Sequence, residues 1–284
     1  MISALEVLAD GGGVWLDRAS AVRAARDGAA THILHMEWQA PAVVLSARPL
    51  GESGAVVSLL TEAHGRHAGL AKGGTSRAQA PLWQPGNLVE VRWVARLADQ
   101  LGALKGELVH PAAALAMEDP LALAMLASAC AVADGALPER QPHAGTFRGL
   151  VSLIGRLPAG AAALLPDYIR WEAMLMAELG YGLDLSRCAA TGGVEELVWV
   201  SPKTGRAVSA AAGEPWRDRL LPLPAFLLAP ERPGANDPSG PAEWLSGLRL
   251  TGHFLSRDAF GQQHRPLPHA RIMLQDRVAD MAGA

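Results

Sequence analysis

Two rhythms of apolar and polar positions run along this chain, and one gives way to the other near residue 111. The first has period two. In Leu88–Leu97, Val89, Val91, Trp93 and Ala95 alternate with Glu90, Arg92 and Arg96, which is the signature of a strand with one buried face. Upstream, Ala42–Ala47 is an apolar, β-branched run, the turn residues Pro49, Gly51, Ser53 and Gly54 follow it, and Ala55–Leu60 is a second strand. Glu62–Gly65 predicts a turn, Arg66–Ala71 a third strand, and Leu101–His110 a fifth, with a longer loop from Lys72 to Gln84 before the fourth. Five short strands with hairpin-length turns predict a small closed barrel, and the OB-fold is the usual five-stranded case.

The second rhythm is helical. Asp119-Pro120 is a good helix start, with Asp as cap and Pro in the first position. The helix it opens, Leu121–Val132, is apolar on nearly every face and belongs at the centre of its domain. His143–Leu157 and Pro166–Leu179 predict two more helices, the second closed by Gly180. Cys188–Ser209 predicts a small β-hairpin: Leu197–Val200, a turn over 201–205, then Arg206–Ser209. Glu231–Pro241 is a loop, Glu243–Phe260 a last long helix and Ala270–Met281 a short one. The expected architecture is α+β and multidomain, with an OB barrel over 36–112 and an α-helical domain over 113–284 that carries the hairpin. Residues 1–35 stand apart. Gly11-Gly12-Gly13 breaks any regular element, and Ala19–Ala30 is Arg/Ala-rich. A disordered extension is expected there, or an upstream start with Met36 as the true one.

Composition narrows the function. Half of the 284 residues are hydrophobic, enough for a sizeable core. The longest charge-free apolar run, Pro120–Ala133, is too short for a bilayer span of about 20 residues, and the N-terminus lacks a secretory pattern. Cys130 and Cys188 make no disulfide framework, which points to a reducing cytoplasm. A net charge of −3 means that any nucleic-acid site is a local patch. Enzyme motifs fail: Lys72-Gly73-Gly74-Thr75 has phosphate-loop residues in the wrong order, and no Gly-x-Ser-x-Gly elbow is present. No cofactor and no turnover are expected.

One stretch does carry chemistry. Between Ala63 and Asn87 there is no Asp or Glu, while Arg66, Lys72 and Arg77 are present with His64 and His67. Gly73-Gly74 lets backbone N–H groups approach phosphate. Trp83 and Trp93 are candidate stacking faces for unpaired bases, although Trp93 lies on the apolar side of its strand. Arg48, Arg66, Lys72, Arg77 and Trp83 are therefore the candidate DNA-binding residues, with Arg92 a weaker one.

Several segments in order resemble the RecO family of recombination mediators, over roughly residues 36–265. These are Glu37–Val44, Thr61–Arg66, the basic loop Ala71–Arg77, Gln84-Pro85-Gly86-Asn87, and Arg170-Trp171-Glu172 through Leu179–Gly182 to Cys188-Ala189. The resemblance implies a non-enzymatic cytoplasmic protein that binds and anneals single-stranded DNA. It further implies work with RecR and with the acidic tail of single-strand binding protein, and loading of the RecA recombinase. Arg140, Arg148, Arg156 and Arg170 are the candidates for a basic rim that would hold that tail. Many family members carry a four-Cys zinc site; the matching slots here are Cys188, Thr191, Ser209 and Ala212, so no zinc is expected. Packing of Leu197, Val198 and Val200 is expected to hold the hairpin instead. The competing reading is a protein-interaction barrel with incidental DNA affinity.

Overall fold

The computed structural model describes residues 36–97, 100–228 and 239–283. The extension 1–35 and most of the loop Glu231–Pro241 lie outside the described residues.

Five strands come first along the described chain: β1 (Met36–Leu50), β2 (Gly54–Thr61), β3 (Gly65–Ala71), β4 (Leu88–Ala95) and β5 (Gly102–His110). They close into a barrel in the order β1-β2-β3-β5-β4, with β1 completing the circuit against β4. All pairings are antiparallel except β3 with β5, which run parallel over Gly69–Ala71 and Gly102–Leu104. The alternation of β4 is seen directly: Val89, Val91 and Trp93 are buried and Arg92 is exposed. In β1, Ala42 and Val44 fill the barrel. Val43 and Leu45 belong instead to the core shared with the helices. A run buried on both faces therefore reads as unbroken apolar sequence.

The helices are α1 (Ala112–Ala116), α2 (Pro120–Ala136), α3 (Ala144–Arg156), α4 (Ala161–Glu178), α5 (Pro241–Phe254) and α6 (His269–Ala282). The all-round apolar character of α2 has a simple cause. Its residues join one core with Val43, Leu45, Leu60 and Leu88 of the barrel and with Leu164, Tyr168, Leu274 and Val278 of the other helices. Asp119 closes the start of α2, accepting the Leu121 N–H at 2.8 Å, and its second oxygen takes the Ala161 N–H at 3.2 Å. One carboxylate thus caps two helices. This second cap starts α4 at Ala161, ahead of the Pro166 start expected from sequence, and leaves Pro166 inside the helix.

The small β element is larger than a hairpin. β6 (Leu197–Val200) pairs with β7 (Ala207–Ser209) and also with β8 (Leu221–Pro222), in the order β7-β6-β8. Leu197 and Val200 are buried as expected, but Val198 is 38% exposed and does not hold the sheet.

Candidate nucleic-acid interface

The candidate cations separate to opposite ends of the barrel. β3 runs from Gly65 to Ala71, so Arg66 sits at its start and Lys72 just past its end. At the Lys72 end, the register places Arg48 opposite Val56 and Val56 opposite Leu70. The Thr75 N–H reaches the Ser53 carbonyl at 3.1 Å, tying the basic loop to the β1–β2 turn. Arg48, Lys72 and Arg77 are all exposed there. Of the three, Lys72 lines a cavity of about 550 Å³ whose other walls include Gln79, Trp83, Lys105 and Glu107. Lys105, which follows the last β3–β5 rung at Leu104, joins this end only through the fold, because nothing in the local sequence marks it. Two carboxylates, Glu90 and Glu107, share the cavity, and Arg92 is held by Glu37 at 2.5 Å.

The Lys72–Gln84 loop is fastened from below. Asn87, buried, donates from Nδ2 to the carbonyls of Pro81 and Leu82 at 2.8 and 3.3 Å, and accepts the Ala113 N–H at 3.1 Å. Gly86 has φ 94°, and a Cβ there would meet the Leu126 side chain at 2.4 Å. The Gln84-Pro85-Gly86-Asn87 motif therefore seats the loop on the barrel and lets α2 approach.

Two of the sequence candidates are corrected. Trp83 is not an open stacking face: it is 3% exposed and fills the barrel end. Arg66 is not a free cation. Its Nε donates to the Leu137 carbonyl at 2.8 Å, and its Nη1 lies 3.5 Å from Asp134 and 3.4 Å from Glu139. Asp134 of α2 also accepts from Ser46 Oγ at 2.9 Å and Ser58 Oγ at 2.6 Å. Arg66 thus belongs to a clamp between barrel and helices. Gly65 beside it has φ 64°, and a Cβ would strike the Gln141 carbonyl carbon at 2.4 Å.

The helical-domain arginines do not form one rim. Arg148 pairs with Glu62 of the barrel at 2.9 Å. Arg156 and Arg170 both bind Asp167, at 2.6 and 2.7 Å. Arg140 touches the Gln100 carbonyl at 3.5 Å.

The four slots matched to a zinc site do not suit the metal. Cys188 Sγ accepts from Ser209 N at 3.3 Å and Ser209 Oγ at 3.4 Å, and Ala212 offers no donor. Burial pushes the thiol up, but hydrogen bonds from Ser209 and Thr191 outweigh it and bring it down to about 6. One sulfur is a quarter of what a structural zinc takes. Among the described residues no three His, Cys, Asp or Glu side chains gather as a metal site.

A closed five-stranded barrel sharing one core with a helical body, and bearing a small three-stranded sheet, defines an α+β protein of barrel-plus-helix build. The family described as Recombination protein O N terminal matches residues 36–112, and that described as Recombination protein O C terminal matches residues 117–266. The chain is 59% identical over 244 residues to the DNA repair protein RecO of Granulibacter bethesdensis, covering 86% of this chain and 96% of the relative. It is 60% identical to that of Gluconacetobacter diazotrophicus, covering 86% and 95%, and 56% identical to that of Acidiphilium cryptum, covering 86% and 96%. The chain belongs to the RecO family of DNA repair proteins. No helix among the described residues is long and apolar enough to cross a membrane.

Proposed function

We propose that this protein is a non-enzymatic recombination mediator whose barrel, of the OB type, binds single-stranded DNA at its Lys72 end. The observation that carries this reading is Lys72 and Lys105 lining one open cleft, with Arg77 on the same loop as Lys72, a loop anchored from within by Trp83 and Asn87, and with Arg48 exposed near the end of β1. Lys72 and Arg77 are exposed and enter no ion pair among the described residues. Cations on a stiff loop hold phosphates without choosing sequence, which is what annealing of arbitrary strands needs. The barrel domain spans 36–112 and the helical domain 113–284. The mediator works from binding energy alone, with RecR and single-strand binding protein as partners and RecA loading as the outcome, in the bacterial cytoplasm at the nucleoid.

Fluorescence anisotropy with a labelled oligothymidylate tests it. With three phosphates neutralised, the log–log salt slope is about −2. Lys72→Glu with Arg77→Glu weakens binding and brings the slope to about −0.7. Unchanged binding removes this loop from the site. Annealing of complementary strands without nucleotide separates the competing reading: no acceleration over the spontaneous rate leaves a barrel that binds proteins only.

A further inference from the structure

Among the described residues the Lys72 end supplies cations but no open ring for unpaired bases, since Trp83 is buried. The ring surface lies at the other end of the barrel. Trp38 on β1 is the register partner of Trp93 on β4, and their rings stack at 5.7 Å with planes 13° apart. His64, in the β2–β3 turn, stacks on the outer face of Trp38 at 4.4 Å and 17°. The three rings form a column that starts in the core at Trp93 and ends at His64. His67 braces it edge-on, 5.2 Å from Trp38 and 4.8 Å from Trp93.

The column has an open end. His64 is partly exposed, and among the described residues only Trp38 stacks on it. The turn that carries it is fixed independently of the ring, by its N–H to Thr61 Oγ1 at 3.0 Å. His67 is 7% exposed, and its Nε2 has no partner among the described residues. Arg140 stands nearby: its N–H is bonded to the Arg66 carbonyl at 2.8 Å, and its charge helps lower the pKa of His67, below the effect of burial. Arg140 is exposed, sits at φ 60°, and enters no ion pair among the described residues.

We propose that the open face of His64 is a stacking site for a nucleobase of a single strand, with Arg140 positioned for the adjoining phosphate. The proposal rests on the strand-binding reading above and carries it from the Lys72 end to the opposite end of the barrel. The seven residues of β3 separate the two ends by about 20 Å. A strand of roughly 4–16 nucleotides, the reach of one such barrel, spans that distance. Burial lowers the pKa of His64 and so favours the neutral ring, which offers a π-face while Arg140 supplies the charge.

The test compares a 15-nucleotide oligothymidylate with an abasic oligonucleotide carrying the same phosphates, on the full chain. His64→Ala is expected to weaken oligothymidylate binding about 10-fold and leave abasic binding unchanged, since stacking is lost and charge is kept. His64→Phe, which keeps a ring, is expected to restore it. Arg140→Gln is expected to weaken both ligands. If wild-type protein binds oligothymidylate and His64→Ala binds it equally well, or loses both ligands alike, the stacking site is overturned and the strand-binding reading stands. Absence of wild-type binding overturns both.

Discussion

Arg271 is buried in the helical body with a side-chain exposure of 1%, against Glu172 at 0%. Its Nε and Nη2 donate to the two carboxylate oxygens at 2.5 and 3.1 Å, and Nη2 also reaches the Leu248 carbonyl at 2.7 Å. Glu172 accepts further bonds from Tyr168 and Thr251 at 2.5 Å each, and Ser128 joins Tyr168 at 2.7 Å. Helices α2, α4, α5 and α6 thus meet at one ion pair. Arg271→Met removes the cation and strands the carboxylate without water, a loss of about 3–5 kcal/mol. Total stabilities run to about 5–15 kcal/mol, so about a fifth or more disappears. Urea denaturation at pH 7 followed by far-UV circular dichroism reads the change. Replacing both partners, Glu172→Leu with Arg271→Met, is expected to recover much of the loss, because a buried pair costs nearly as much to desolvate as it returns. An Arg271→Met protein within about 1 kcal/mol of wild type, or a double variant no better than the single, refutes this reasoning.

Two further outcomes concern titration. Burial lowers the pKa of His64, His67 and His110 below the ordinary 6.5. The unfolded chain then takes up protons that the folded one refuses, so stability is full above pH 6.5 and is lost as pH falls through the folded values. Urea midpoints should hold between pH 7.5 and 6.8 and drop by pH 5.5; a rise on acidification contradicts the assignment. Cys188, brought to about 6 although its side chain is buried, should show thiolate absorbance in the ultraviolet with a midpoint near that pH, and Ser209→Ala should raise the midpoint. Cys130, pushed by burial and Asp134 to about 12, should add no thiolate absorbance until unfolding.

The barrel was legible because a strand with one wet face must alternate, and burial does so from Val89 to Ala95. The caps were legible for the same local reason: Asp119 and Gly180 act within a turn of their own positions. The site was harder to read. Arg66 looks in sequence like any loop cation, because Asp134 and Glu139, which neutralise it, arrive some seventy residues later. Trp83 has no pattern that tells a ring turned inward from one turned out, and Lys105 matters only because β5 lies beside β3. The column of Trp93, Trp38 and His64 joins three separate elements through a non-local register. Arg271 sits in a short helix with a polar look, past the residue 266 where the family match ends, and nothing local marks it as buried.

Val43, Leu45, Leu60 and Leu88 turn outward from the barrel into the same core as α2. A fragment ending at residue 112 would bare these four side chains to water as one greasy face, and its monomers would pair or precipitate. The short gap between the two family matches is therefore a seam in the amino-acid pattern, and the folded molecule has no hinge to offer there.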